Sequence, residues 1–145
     1  MLEKIQKESC KKVETHDTNG NQNGFLIELY KDGPKTTVYL TAAYPRAFKG
    51  YHLHKVRASH YVCLKGKMKI TVYEDPDTGL KDKQEFILDS NTPERLLFPT
   101  NVYIGLENIG EEEAWLINFP HPAYDPDLKD EQVDKSPQDL QEKVG

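Results

Sequence analysis

A series of short β-type segments, separated by turn signals and never by a helical pattern, most constrains how this chain can fold. In the segment 67–73, Met68, Ile70 and Val72 share one side of the strand, while Lys69 and Thr71 share the other. Many short strands of this kind predict an all-β fold, a sandwich or closed barrel of antiparallel strands. The predicted segments are residues 25–30, 36–44, 50–54, 59–64, 67–73, 84–88, 95–98, 102–107 and 114–119.

The chain length of 145 residues is typical of one compact domain, and the sequence contains neither an internal repeat nor a low-complexity linker. We therefore expect a single domain over residues 1–145, with a β core over about 25–120 and a tail over 121–145. Residues 10–24 resemble a weak strand followed by a loop. In the tail, Ser136 can cap a helix whose first position is Pro137, which predicts a short C-terminal helix or an extended tail.

Charge and composition narrow the expected surroundings and partners. A formal net charge of −5 argues against nucleic-acid binding, but an anionic small molecule can still bind in a cleft that holds a few cationic side chains. No segment approaches the ~20 apolar residues of a membrane span, and residues 1–12 lack the apolar core of a signal peptide. We expect a cytoplasmic protein in which Cys10 and Cys63 are free thiols, with Cys63 in the strand that leads to Gly66.

The candidate active centre is the pair His52 and His54. Residues two apart in a strand point to the same face, so both imidazoles should project together. Such a pair can bind a metal, act in general base catalysis, or pack and form structural hydrogen bonds. A pair on one face, just after Gly50, favours a functional role.

These residues also carry a family resemblance. Gly50, His52, His54 and Gly66 resemble the first motif of the cupin superfamily. Pro99, Asn101 and Asn108 fall where the second cupin motif has its Pro, Gly and Asn. The resemblance implies a jelly-roll β-barrel of antiparallel strands, and it implies little about function because cupins host many chemistries.

Two enzyme groups within the cupins resemble this chain further. Residues 49–55 are similar to the Gly-x-His-Ala-His-Lys motif of dTDP-4-keto-6-deoxyglucose 3,4-ketoisomerases. Residues 49–52 and 123–126 are similar to the Arg-Gly-Leu-His and Tyr-Asp-Pro segments of dTDP-4-dehydrorhamnose 3,5-epimerases. Both groups act without a metal on a nucleotide-linked 4-keto sugar and remove a proton next to its carbonyl. The resemblance implies this reaction on a dTDP-4-keto-6-deoxyhexose, and a homodimer.

The resemblance also implies residue roles. His52 is the general base, and His54 is a second proton carrier or an orienting partner. Lys49 stands where the epimerases have an Arg beside the substrate phosphates. Ser59 and Asn118 replace the epimerase Lys and the epimerase catalytic Tyr, so a 3,5-epimerase would lack two of its expected parts unless Tyr103 or Tyr61 replaces the donor. We place Arg46, Ser59, Tyr61 and Asn118 with Lys49 in the substrate-binding set, and we expect Arg57 and Arg95 at the surface or in salt bridges.

No metal or other cofactor is expected. Metal-binding cupins complete their two histidines with a Glu and a third His, and here those positions hold Ala58 or Ser59 and Ile104. His60 is a possible third ligand by residue type. It lies one residue out of phase with Ser59, the position expected to face the barrel interior, so we do not expect it to bind a metal. Two alternatives stay open: a non-catalytic cupin that binds a sugar nucleotide, and a metal-dependent cupin enzyme, which the missing ligands disfavour.

Overall fold

The computed structural model describes residues 7, 9, 11–32, 36–74, 83–121 and 132–135 of the chain. Within them the chain forms eleven strands in two antiparallel sheets. The six-stranded sheet has the order β1-β2-β3-β10-β5-β8, and the five-stranded sheet has the order β11-β4-β9-β6-β7. The strands are β1 Lys12–His16, β2 Gln22–Asp32, β3 Thr36–Ala43, β4 Phe48–His54, β5 Ser59–Lys65, β6 Lys67–Glu74, β7 Lys83–Asp89, β8 Arg95–Phe98, β9 Val102–Asn108, β10 Ala114–Asn118 and β11 Gln132–Asp134.

The predicted all-β, antiparallel architecture is confirmed, and every predicted segment coincides with a strand. The described strands form two facing sheets and not one closed barrel. β11, which lies in the predicted tail, was missed because its three residues are too few to show a strand period. The predicted helix at 136–139 and Cys10 lie outside the described residues. No helix within them is long and apolar enough to cross a membrane.

The main hydrophobic core lies between the sheets. Met68, Ile70 and Leu116 are fully buried there, and the alternation predicted for β6 is confirmed because its apolar side faces this core. Cys63, in β5 just before Gly66, is buried in the same core as a free thiol, as expected. Burial raises the pKa of the Cys63 thiol, so it remains protonated.

A second cluster covers the outer face of the five-stranded sheet. Tyr73 follows the core residue Val72 along β6, and neighbouring residues of a strand point to opposite faces. Tyr103 pairs with both Tyr73 and Leu53 across the sheet. These three side chains and Tyr51 therefore pack together on the face that points away from the core.

The Asn of the second cupin motif connects the sheets. Asn108 is buried at the end of β9, and its side-chain amide donates to the carbonyl oxygens of Ala43, Tyr44 and Glu112 at 2.7–3.1 Å. Its Oδ1 accepts from the Gly110 backbone N–H at 2.9 Å. One side chain thus satisfies four buried or partly buried backbone groups, which explains why an Asn stands here.

Candidate functional site

The two histidines of the motif point into the space between the sheets. Along β4, Tyr51 and Leu53 point to the outer cluster, so His52 and His54 point to the opposite face. Both line a cavity of about 440 Å³ that residues of both sheets enclose. The predicted same-face arrangement of the two imidazoles is confirmed.

A β-bulge brings a third β4 side chain into this cavity. Lys49 and His52 are three residues apart and would face opposite sides of a regular strand, but the pairing of β4 with β9 shifts between them. Gly50 makes the shift possible. Its φ is +125°, and a Cβ added there would lie only 2.7 Å from the Ile104 carbonyl oxygen. The glycine of the first motif therefore places Lys49 and His52 together.

His52 is oriented by a carboxylate from the edge strand of its sheet. β11 pairs with β4 so that Asp134 is the register partner of His52, and His52 Nδ1 lies 2.6 Å from Asp134 Oδ1. A carboxylate only accepts, so Nδ1 carries the proton, and in the neutral ring Nε2 keeps its lone pair. Sequence reasoning missed Asp134, because nothing in the predicted tail indicated a strand beside β4.

His54 has a cationic partner in Arg57. The guanidinium Nη2 lies 3.0 Å from His54 Nδ1, and Arg57 is buried and lines the same cavity. Of the two places expected for Arg57, the surface was wrong, because the side chain is buried. The turn between β4 and β5 folds the side chain inward, and no pattern in the sequence indicates that direction.

Polar side chains of the six-stranded sheet face the histidines across the cavity. Glu28, Tyr39, Asn118 and Tyr61 are register partners on four adjacent strands, and all four line the cavity. Asn118 Oδ1 is buried, and no described residue donates a hydrogen bond to it. A buried acceptor of this kind can receive a hydrogen bond from a ligand hydroxyl group.

Tyr61 is the buried hydroxyl of this row. It shares a hydrogen bond with the side chain of Ser59, which is itself buried, and its ring packs edge-to-face against Phe98. Burial raises the pKa of Tyr61, and the phenol therefore stays protonated. The predicted residues Tyr61 and Asn118 thus line the cavity, and Ser59 contacts the site through its hydrogen bond to Tyr61.

Lys49, which the sequence resemblance places beside the substrate phosphates, is buried and does not lie at the rim of the cleft. Its ammonium donates to Thr41 Oγ1 at 2.9 Å and to the carbonyl oxygens of Ala42 and Phe25 at 3.2 and 3.4 Å. Burial lowers the pKa of Lys49 to about 8. Lys49 nevertheless lines the cavity, and its positive charge can attract an anion that enters it.

A second, larger cavity adjoins the first. It has a volume of about 1060 Å³ and extends along the β1–β2 turn to Asp134 and Lys135. Thr15, Lys49 and His52 line both cavities, so His52 stands at their junction. Arg46 lines the larger cavity from an exposed position, where it forms an ion pair with Glu111.

Two other candidate side chains lie elsewhere. Tyr103 belongs to the outer cluster, on the face opposite to His52, and lines neither cavity. Strand parity puts it there, since its register partner Leu53 also points outward. Of the two tyrosines predicted as donor, Tyr61 is the one beside the histidines. His60 donates from Nδ1 to the Phe119 carbonyl oxygen at 2.8 Å, away from both cavities, in agreement with its predicted phase.

The smaller cavity is cationic although the chain as a whole is acidic. The cationic side chains that line it are those of Lys11, Lys31, Lys49 and Arg57. Glu28 is the one carboxylate among the described residues of the lining. Cations that are concentrated around a concave site attract anionic ligands, and a diphosphate group is one kind of anion that such a site can bind.

The described residues of the site do not fit a metal ion. No group of three or more His, Cys, Asp or Glu side chains within them is arranged to hold one. Ile104 packs in the hydrophobic core, and its register partner is His52. Arg57 donates to His54 Nδ1, so the ring proton of His54 lies on Nε2. A protonated ring nitrogen has no lone pair with which to bind a metal. The expected absence of a metal stays a prediction.

Known proteins resemble this chain in sequence. A family model described as the polysaccharide biosynthesis C-terminal domain matches residues 19–132. The probable low-salt glycan biosynthesis epimerase Agl13 of Haloferax volcanii is 28% identical over 134 residues, which are 83% of this chain and 84% of that protein.

Solved structures share the fold. The capsular polysaccharide assembling protein CapF of Staphylococcus aureus superposes with a TM-score of 0.70 and 18% identity over 85% of this chain. This chain spans 34% of the CapF chain, about a third of its length. The cupin-2 domain Rru_A2000 of Rhodospirillum rubrum superposes with a TM-score of 0.66 and 10% identity, covering 98% of this chain and 86% of that one. The predicted cupin fold is confirmed by these likenesses.

Proposed function

This chain belongs to the polysaccharide biosynthesis C-terminal domain family, and from that membership we propose that it is a sugar-nucleotide epimerase or isomerase. It removes a proton from the carbon beside the carbonyl of a 4-keto sugar, without a metal. The observation that carries the proposal is the His52–Asp134 pair at the wall of a cationic cavity. The name of the relative Agl13, a probable epimerase, supports the same reaction class.

His52 serves as the general base. A hydrogen next to a ketone is weakly acidic, and an imidazole can accept and return it at neutral pH. Asp134 accepts a hydrogen bond from His52 Nδ1–H, so the lone pair of Nε2 is the one that meets the substrate. The carboxylate also stabilises the imidazolium that forms when His52 takes the proton.

The negative charge that develops on the carbonyl oxygen needs donors nearby. Arg57 and Lys49 bring positive charge to the cavity, and Tyr61 brings a protonated phenol from the facing sheet. Donors that are already in place before the reaction can stabilise the charge that develops on this oxygen. The cavity therefore combines a base on β4 with cationic side chains beside it and a phenol on the facing sheet.

Charge and space at the site support this substrate class. The cationic lining suits a diphosphate, and the larger cavity beyond His52 has room for the rest of a nucleotide. The resemblance to dTDP-sugar enzymes suggests a dTDP-4-keto-6-deoxyhexose. We further propose a cytoplasmic homodimer that has neither nucleic acid nor membrane as a partner.

Solvent deuterium wash-in tests the proposal. The wild-type chain should introduce deuterium next to the carbonyl of a dTDP-4-keto-6-deoxyhexose, and His52→Asn should lose about 10²–10⁴-fold in this rate. Binding of dTDP, measured by calorimetry, should survive the substitution, because dTDP lacks the reacting sugar. His60→Asn is the matched control, since His60 lies outside both cavities.

A non-catalytic sugar-nucleotide-binding cupin is the second candidate. It is favoured by Ser59 and Asn118, which stand where the resembling epimerases carry a Lys and a Tyr. Wild-type protein that binds dTDP and exchanges no proton with any 4-keto-6-deoxyhexose would establish this candidate in place of the enzyme. About one zinc, iron or manganese per chain in elemental analysis, removed with loss of activity, would instead establish a metal-dependent cupin.

A further inference from the structure

We propose that Asp134 and Arg57 hold His52 and His54 in opposite tautomers, so that the two histidines do different work in one cavity. His52 accepts the substrate proton, and His54 donates a hydrogen bond from Nε2–H to the carbonyl oxygen. The assignment of this work rests on the proposed function. The tautomers themselves rest on two hydrogen bonds, from His52 Nδ1 to Asp134 and from Arg57 to His54 Nδ1.

The opposite tautomers follow from what each partner can do. A carboxylate has only acceptors, so His52 must donate to Asp134 from Nδ1. A guanidinium has only donors and stays charged, so His54 must accept from Arg57 at Nδ1. His54 is therefore neutral, and its single ring proton is on Nε2.

Among the described residues that line the cavity, the cations oppose a positive charge on His54. Arg57 comes from the turn after β4, and Lys49 lies on the same strand. Lys11 and Lys31 face the cavity from the ends of β1 and β2, and all four cations oppose a positive charge on His54. The titratable groups of the facing sheet there are Tyr39, Tyr61, which is protonated, and Glu28, the one carboxylate of the described lining. His52 itself is the remaining titratable group of β4 there.

A neutral imidazole whose Nδ1 already accepts from Arg57 can donate from Nε2–H, and it has no second lone pair with which to take up a proton. In the proposed step the C–H bond beside the carbonyl breaks, and its proton moves to His52 Nε2. The electron pair of that bond forms the C=C bond of an enolate, whose negative oxygen receives the hydrogen bond from His54 Nε2–H. Return of the proton to carbon restores the ketone and the neutral His52. No other reactant is required, and Arg57 acts as a positioning residue for His54.

The tautomers can be read directly by long-range ¹H–¹⁵N NMR of the imidazoles in the full chain without ligand. His52 and His60 should show the Nδ1–H pattern, the latter because it donates to a carbonyl oxygen. His54 should show the Nε2–H pattern. It should keep that pattern as the pH falls from about 8 to about 5.5, the range over which an ordinary imidazole takes up a proton.

Arg57→Met keeps an apolar stem and removes the donor. His54 should then take up a proton within that pH range, and the pH–rate profile should gain a second ionisation on its acidic side. Arg57→Lys, which keeps a donor, should restore the neutral pattern. The unchanged His60 signal serves as the control for folding, and the wild-type spectrum decides the tautomers even if Arg57→Met does not fold.

Substitutions of the two histidines should then differ in effect. His54→Gln keeps an N–H donor and should retain deuterium wash-in within about tenfold, whereas His52→Gln should lose about 10²–10⁴-fold because an amide is no base. Wild-type His54 in the Nδ1–H or protonated form would overturn the inference, whether or not the protein exchanges deuterium. The expected tautomers without any deuterium uptake would instead overturn the proposed function.

Discussion

His52 Nδ1 and Asp134 Oδ1 lie 2.6 Å apart although 82 residues separate them in the chain. The contact exists because β11 adds to the edge of the five-stranded sheet beside β4, with Asp134 opposite His52 in the register. The base proposed for this site is therefore oriented by β11, the last described strand in the chain and the edge strand of the five-stranded sheet. An edge strand of three residues, Gln132–Asp134, decides the tautomer of the central histidine.

Asp134→Asn tests this orientation. The amide can donate to Nδ1 and favour the wrong tautomer of His52, so deuterium wash-in should fall by up to the ~10²–10⁴-fold that a general base contributes. Binding of dTDP should change little. Glu85→Gln removes a carboxylate from the outer side of β7 and is the control that should leave wash-in within about twofold. Equal rates for Asp134→Asn and wild type would show that His52 needs no carboxylate partner.

Tyr61→Phe and Tyr103→Phe form a matched pair, since each removes one buried tyrosine hydroxyl from the fold. Tyr61 lines the cavity and faces the histidines, so its phenylalanine variant should lose about 10- to 150-fold in turnover, the effect of one hydrogen bond to a charged group. Tyr103 lies in the outer cluster, and its variant should turn over substrate within about twofold of wild type. A greater loss from Tyr103→Phe, measured at equal folded fractions by circular dichroism, would reverse the assignment.

Lys49 should make stability depend on pH in the alkaline range. Burial lowers its pKa to about 8 from 10.5, so between these values the unfolded chain binds more protons than the folded one. Stability contributed by this group therefore rises with pH in that window, by at most ~3 kcal/mol. The free energy of unfolding of wild type, compared with Lys49→Met by urea titration, should increase from pH 8 to 10.5. A difference between the two proteins that stays constant with pH would contradict the burial of the ammonium.

Gly50→Ala should damage both the fold and the site. The positive φ and the close Ile104 carbonyl oxygen leave no room for a Cβ, and we expect a loss of about 1–3 kcal/mol or more in urea denaturation. Gly20→Ala is the matched control, because Gly20 also has a positive φ of +84° but no atom near its Cβ position. Gly20→Ala should cost only the backbone strain of ~1–2 kcal/mol. Similar losses for both would mean that close packing at Gly50 contributes nothing.

Short-range patterns in the sequence determine the strands and the faces of their side chains. The alternation over β6 predicts that Met68 and Ile70 face the core, and the spacing of His52 and His54 predicts one shared face. Each of these inferences needs only the two-residue period of a strand, and each holds in the structure. The glycine of the first cupin motif has its reason at the bulge of β4, and the asparagine of the second motif has a local contact to Gly110 beside its contacts to the other sheet.

Contacts between distant strands were decided only by the tertiary structure. Asp134 reaches His52 through edge pairing, Arg57 turns inward to His54, and Tyr103 faces away from the site because its partner Leu53 does. The bulge at Gly50 changes the parity of β4, so the directions of Lys49 and His52 could not be obtained by counting residues. The period of a strand sets the face of each side chain relative to its neighbours in sequence. Which residue lies opposite depends on register and strand order, because these are set by the packing of the whole fold.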